Sequence, residues 1–282
     1  MYEVAILVVL YDCNISQSVT LNSIIKRKFK NAHLTIWNNG PHKLKSIDVS
    51  FLLDSGLNVE IKETLHNESL AIIYNDFLDS NSSQKYMILD HDSSITESYL
   101  DDAFSIKSSE LGIPHIFSQG KPRSPTINRK PLLSIDTPLK SNDSVIAIGS
   151  GIVLGSDIIK SIKNEYDTVF DERFYLYGVD TTFFYRFNNV MKNDGIKFIH
   201  GFNHNLSRLE VENEEVTSFR FIERAYDQGL TLRYYNNKKM QIDIIIRITL
   251  SVFIKSIFRV KVKMNYLKFM DAYISGKHYR DK

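Results

Sequence analysis

The chain has 282 residues, 43% of them hydrophobic and 12% aromatic, an ordinary globular composition for one large domain or two small ones. Its single cysteine, Cys13, excludes an internal disulfide and fits a reducing compartment. The net charge of +2 hides a split: residues 238–282 hold eleven Lys+Arg against three Asp, a net of +8, so the preceding 237 residues carry −6. A basic tail on an acidic body points the tail toward something anionic, phospholipid headgroups or nucleic acid. No uncharged apolar stretch reaches the roughly 20 residues of a membrane span; the longest candidate, ITLSVFI, lies between Arg247 and Lys255.

The opening apolar run VAILVVL follows Glu3 rather than Lys or Arg and is rich in β-branched residues. It is expected to be a first buried strand, Val4–Leu10, and not a secretion signal. Ser16–Phe29 has helical spacing with Ser16 as a possible N-cap, and Leu34–Trp37 is a second strand running into the turn cluster NNGP. A strand at Leu57–Ile61, a helix at Ser69–Leu78, a strand at Tyr86–Leu89 and a helix at Thr96–Phe104 follow. Repeated β-α units predict a largely parallel sheet covered on both faces, with ligands at the carboxyl ends of its strands. Asp12, Asn38, Asn39, Asp90 and Asp92 all follow strand ends and should converge there. Residues 119–144, rich in Pro, Ser, Asn and Lys, read as a long loop and a possible flap. Val145–Ile148 predicts a strand, Ser156–Ile162 a helix, and Ile196–Ile199 a strand. Along 238–263, Asp243, Arg247, Ser251, Lys255 and Arg259 recur every fourth residue among Ile, Leu, Val and Phe, which predicts an amphipathic helix, with FRVKVKM as a possible strand end.

The apolar run into Asp90-His91-Asp92 carries the first chemistry. Two carboxylates so close repel unless a cation offsets them, and hard oxygen ligands suit Mg²⁺ or Mn²⁺ together with a diphosphate. DHDSS is also good turn chemistry ahead of a helix at Thr96. In GSGIVLG the spacing Gly-x-Gly-x-x-x-Gly departs from a dinucleotide loop, and small residues that admit a close approach are the better reading. His200 and His204, four apart, do not suit a zinc helix because a strand pattern and Gly201 intervene.

Several motifs then occur in a familiar order: LYD after the first strand, IWNNGP, NESLAIIYN, YMILDHDSSI, SGIVLGSDIIKSI, FDERFYLYGVDTTFFYRF and His204. Over roughly residues 2–210 the chain resembles the inverting family-2 glycosyltransferases with the GT-A fold, most of all their bacterial rhamnosyltransferase-like branch. Asn67 and Asn75 align with that family's helix motif, and Asp180 and Arg186 keep its spacing of six. Val179 and Thr182 stand where many members carry acids, and Phe183 or Phe184 replaces a Trp.

The resemblance implies an α/β GT-A domain over 1–237, with a mainly parallel central sheet and helices on both faces, and a basic amphipathic helical extension over 238–282. It implies a metal-dependent hexosyl- or rhamnosyltransferase acting on a UDP- or dTDP-sugar, with Mn²⁺ or Mg²⁺ held by Asp92, Asp90 and His204. Tyr11, Asn39, Asn67, Asp90, His91 and Asp92 would contact the nucleotide sugar. Asp180, in an aromatic setting that desolvates it, would be the base, and Tyr177 and Arg186 would meet the acceptor. Tyr175 is a second stacking candidate, and Asp171 and Glu172 either orient the acceptor or are solvated. The acceptor implied is a polyprenyl-diphosphate-linked glycan of a bacterial surface polysaccharide such as O-antigen or capsule. The protein would then be cytoplasmic and peripheral at the inner membrane face, with the tail on an anionic membrane surface and no nucleic acid as partner. Bland alternatives stand beside these: Asp180 as a helix cap, His204 as a structural hydrogen-bonder, and the chain as a non-catalytic nucleotide- or polysaccharide-binding protein.

Overall fold

A computed structural model describes all residues except 46, 205–213, 259, 261–263 and 282, and only the backbone of 214–216. The first half runs β1 (Tyr2–Leu10), α1 (Val19–Ile24), β2 (Ala32–Asn38), α2 (Ser50–Asp54), β3 (Leu57–Glu63), α3 (Leu70–Ser80), β4 (Ser83–Asp90), β5 (Ser93–Ser94) and α4 (Glu97–Ser105). The middle holds β6 (Leu111–Pro114), β7 (Ile116–Ser118), β8 (Lys121–Ser124), β9 (Thr126–Ile127), β10 (Lys130–Pro131) and β11 (Val145–Ile146). Then come β12 (Val153–Gly155), α5 (Ser156–Tyr166), α6 (Val179–Met191), β13 (Ile196–Ile199) and β14 (Asn203–His204). Three helices, α7 (Glu214–Tyr235), α8 (Lys238–Ile257) and α9 (Tyr266–Ser275), follow.

The central sheet has the order β13-β6-β12-β4-β1-β2-β3. Its strands are parallel except β12, which runs antiparallel between β4 and β6. The continuous apolar run of β1 is explained by burial on both sides. Val4, Ile6, Val8 and Leu10 face a layer formed by α1, α2 and α4. Ala5, Leu7 and Val9 face α3, α5 and α6. The fold is therefore the expected mixed α/β architecture with helices on both faces.

Three local expectations are corrected. The helix predicted over Ser16–Phe29 shrinks to α1, capped by Ser18, whose hydroxyl accepts from the Leu21 amide. Beyond the helix the Phe29 amide donates to Ser55 O at 2.8 Å and not to a helical carbonyl. Residues 119–144 contain β8, β9 and β10, built into two small sheets, and none of them is among the residues lining the main cavity. Val145–Ile148 yields only β11, which pairs with β9; the strand that enters the central sheet is β12, hidden in sequence by its shortness. The possible strand in FRVKVKM falls largely outside the described residues.

The aromatic-acidic block 168–178 is pinned to α3. Asn75 donates to Phe170 O at 2.9 Å and accepts from the Phe170 amide at 3.0 Å. The Ser69 hydroxyl donates to Phe174 O at 2.9 Å. Asp171, only 2% exposed, receives Arg173, the Tyr235 hydroxyl at 2.7 Å and the Arg186 guanidinium at 3.3 Å. Asp171 is thus neither solvated nor an acceptor contact. Burial raises its pKa, but the Arg173 hydrogen bond and the Arg186 charge outweigh that and hold it below the usual carboxylate range.

The tail divides in two. α8 rests on α7 and α9 through Ile244, Ile245 and Ile248. α9 packs along α7, and residues 276–281 return to the body: Arg280 donates to Asn67 O at 2.9 Å and pairs with the buried Glu223 at 3.0 Å. His278 stacks on Tyr175 with ring centroids 4.4 Å apart, and its Nε2 lies 3.7 Å from Glu223. Burial, added to by the Arg280 charge, lowers the His278 pKa to about 4.

Two outcomes are expected. Asp171→Ala strands the buried Arg186 guanidinium and removes the partner of the half-exposed Arg173, and should lower the unfolding free energy by about 3–5 kcal/mol in urea titration. His278 folds neutral but takes a proton near pH 6.5 when unfolded. Its contribution is therefore intact above about pH 6.5 and lost as pH falls toward about 4. Unfolding free energy should decline in that window by up to about 1.4 kcal/mol per pH unit, and His278→Gln should flatten that slope.

Candidate functional site

A cavity of about 390 Å³ opens at the carboxyl ends of β1 and β4, within the ~300–1,000 Å³ usual for small-molecule sites. Its lining includes Tyr11, Asn39, Asn67, Asp90, His91, Asp92, Tyr177, Asp180 and His204. The sheet edge thus brings together the residues expected to meet the nucleotide sugar and the metal, Asp180 and Tyr177, but not Arg186. Arg186 is 5% exposed and buried in the Asp171 cluster, where it also donates to Thr168 O at 2.9 Å. It braces the block that carries Asp180 and cannot reach an acceptor. Asp12 and Asn38, also at strand ends, do not line the cavity; Asn38 donates to Glu63 and to His42 O instead.

The Asp90-His91-Asp92 turn is held from below by α1. The Thr20 hydroxyl donates to Asp90 O, and the Thr20 amide and Ser18 hydroxyl both donate to His91 O at 3.1 and 3.0 Å. The tiny antiparallel pair β5–β14 puts His204 directly opposite Ser93. That register delivers the imidazole to the two carboxylates: Nδ1 lies 3.2 Å from Asp92 Oδ1 and Nε2 3.7 Å from Asp90 Oδ2. Thr96 caps α4 as the turn reading expected, accepting from the Tyr99 amide at 3.2 Å. Turn chemistry and site chemistry coexist in one segment.

The donor set fits a hard divalent cation. One ligand atom from each of Asp90, Asp92 and His204 lies within 4.8 Å of the others. His204 Nδ1 shares its hydrogen bond with Ser93 Oγ at 3.0 Å, and Asp92 Oδ1 is buried without a hydrogen-bond partner among the described residues. A buried carboxylate oxygen with an imidazole beside it but no hydrogen bond of its own is suited to an ion. Desolvation, added to by Asp92, raises the Asp90 pKa against the pull of His204. Burial opposes the His204 imidazolium, but the neighbouring carboxylates Asp92, Asp90 and Asp180 outweigh it and raise its pKa. His200 takes no part; it hydrogen-bonds Asp102 at 2.7 Å.

Asp180 sits in the first turn of α6, whose N-cap is Gly178; it is not itself the cap. Gly178 has φ +83°, and a Cβ there would come within 2.5 Å of the Phe174 ring. The same field that reaches His204 from Asp180 also reaches Tyr74, whose pKa is raised by burial and then by Asp90 and Asp180. Gly149 explains the small residues of GSGIVLG: a Cβ added there would lie 2.3 Å from Asp180 Oδ1. The next residue, Ser150, accepts from the Asp90 amide at 3.0 Å.

Other residues sit differently from expectation. Val179 is buried in the apolar core, and Thr182 is buried with its hydroxyl donating to Gly178 O at 2.7 Å. The two places where acids are replaced thus lie off the cavity wall. Tyr175 is occupied by His278 and Asp281, and Glu172 accepts from Asn75 at 2.9 Å. Asn39 is buried and bonds Thr64 and Glu68, so it shapes the wall more than it reaches into the cavity. Sequence reasoning missed Tyr74, Ser150, Leu176, Phe219 and Arg220 as lining residues. Arg220 is the instructive one: it brings a permanent cation to a wall with three carboxylates, and it lies on α7 beyond every motif.

No family model matches the chain, and no curated protein matches it. Solved structures do. S. aureus TarS 1-349 superposes with a TM-score of 0.53 at 11% identity, covering 82% of this chain and 64% of that one. S. aureus TarS gives 0.51 at 12% identity, covering 82% of this chain and 44% of its own length. S. aureus TarS 1-349 in complex with UDP gives 0.50 at 12% identity, covering 85% and 68%. The chain therefore spans under two thirds of the first of these, and what it shares with them is the fold. Asp92→Asn and His204→Ala should each abolish most of the thermal stabilisation that Mn²⁺ gives the wild type, read by calorimetry without substrate. The mixed α/β sheet, with helices on both faces and a cavity at its carboxyl edge, is the fold of TarS.

Proposed function

We propose that this chain is an inverting glycosyltransferase that moves a sugar from a nucleotide-diphospho sugar to a glycan or lipid-linked glycan acceptor. The observation that carries the reading is convergence: Asp180 and the Asp90-Asp92-His204 group line one cavity of small-ligand size. The solved complex of TarS with UDP supports a uridine nucleotide as donor moiety.

In such a transfer the acceptor oxygen forms a bond to the anomeric carbon as the bond to the diphosphate oxygen breaks. The acceptor hydroxyl proton passes to Asp180, and the bonding electrons leave with the diphosphate. Attack on the face away from the leaving group inverts the anomeric centre. Asp180 is a suitable base because its helix-terminal position is fixed by Gly178 and its carboxylate is seated against Gly149. A divalent cation held by Asp90, Asp92 and His204 would supply Lewis-acid stabilisation of the charge gathering on the leaving diphosphate. Arg220 is placed to add to that stabilisation, and Tyr11 and Asn67 to bound the nucleoside. The finer reading places the acceptor on a polyprenyl diphosphate at the inner face of the cell membrane, in surface-polysaccharide synthesis. A non-catalytic binder drew its motivation from the lost acids at 179 and 182, and both positions face away from the cavity.

Asp180→Asn should cut turnover by about 10²–10⁴-fold while donor affinity stays within a few fold. Gly149→Ala should lower kcat with little change in melting temperature, because it displaces the carboxylate and leaves the core intact. Both are read from UDP and dTDP release over a panel of nucleotide sugars, with donor binding by calorimetry. Unchanged function in Asp180→Asn would favour a binding protein.

A further inference from the structure

α8 is apolar on two opposite sides. One side, with Ile244, Ile245 and Ile248, packs on α7 and α9. On the other, Ile242, Ile246, Leu250, Phe253, Ile254 and Ile257 are each 52–63% exposed. At ~100° per residue these six fall within about 120° of the helix circumference, a continuous stripe along its whole length. A surface helix of a globular protein normally turns polar residues outward; an uncovered stripe of this size marks a contact surface. No helix among the described residues is long and apolar enough to cross a membrane. Asp243 lies within the stripe near its edge, and its charge is met at 3.0 Å by Arg247, which borders it.

Charge selects the occupant. Residues 238–282 carry a net +8, with Lys238 and Lys239 at the head of α8 and Lys239 on the stripe's own side. A second copy of the chain would bring +8 against +8 across an apolar seam. An anionic bilayer offers both what the stripe needs and what the charges need: acyl chains for Ile, Leu and Phe, and headgroups for the lysines. We infer that α8 lies in the plane of an anionic lipid surface with its outer stripe inserted at the headgroup–acyl boundary. This deepens the proposed function by naming the surface on which it would work, yet lipid contact is measurable without donor or acceptor.

The test is flotation of the full chain with vesicles of phosphatidylglycerol and phosphatidylcholine, against phosphatidylcholine alone. Wild type should float with the anionic vesicles, less so as salt rises, and weakly with the neutral ones. The triple variant Ile242→Gln, Phe253→Gln, Ile257→Gln should lose roughly tenfold or more of that binding and keep its melting temperature and donor affinity. Wild type remaining unbound to anionic vesicles would overturn the inference. So would a concentration-dependent dimer, seen by sedimentation, that the triple variant abolishes. Vesicle binding in a protein that binds no nucleotide sugar would sink the transferase reading and leave this one standing.

Discussion

The exchange of two hydrogen bonds between the Asn75 amide and the backbone of Phe170 is the constraint on which the site depends. It docks an otherwise irregular segment onto α3, and the Asp171 charge cluster then locks the segment from the other side. Only with 168–178 held so can Gly178 start α6 at the rim of the sheet, which puts Asp180 on the cavity wall. Backbone polar groups in a buried loop must find partners, and here a single side-chain amide satisfies both a carbonyl and an N–H. The packing of the second half of the molecule and the chemistry of its carboxylate are one problem solved by the same residues.

The other half of the cavity faces an electrostatic problem. Three carboxylates in a concave wall repel one another. The fold answers with cations from distant parts of the chain. His204 comes from a two-residue strand paired to β5, and Arg220 from a helix that begins after the sheet is complete. The balance is still short of positive charge, and the hard donor set of Asp90, Asp92 and His204 is one that could hold a divalent ion.

Much of this was legible in the sequence. β1 to β4, α3 and α4 announced themselves by apolar runs and helical spacing, whereas α1 proved shorter than its spacing suggested and the five-residue α2 gave no signal. The convergence of Asp90, Asp92 and Asp180 followed from strand-end logic and the ordered motifs. What stayed hidden has physical causes. β6 and β12 are four and three residues long, too short for any periodicity to report. Arg186 was misassigned because spacing along a helix says nothing of which side is buried, and its neighbours Asp171 and Tyr235 are distant in sequence or unremarkable in it. Arg220 had no motif to carry it. The Pro-rich middle looked like loop because strands of two to four residues with edge prolines carry no alternation.

The one reversed strand has a consequence for how such a site can vary. Because β12 runs against its neighbours, the chain enters it at the rim where β4 leaves, and the Gly151 amide donates to Ile88 O there at 2.6 Å. Residues 149 and 150 therefore reach the ligand edge on the way into the sheet, while all parallel strands reach it only on the way out. Both positions are tied to the acids of the cavity, since a Cβ at Gly149 would meet Asp180 and the Ser150 hydroxyl takes the Asp90 amide. The entrance to β12 is therefore a point where pocket shape and the placing of both carboxylates change together, with no crossover connection altered in length.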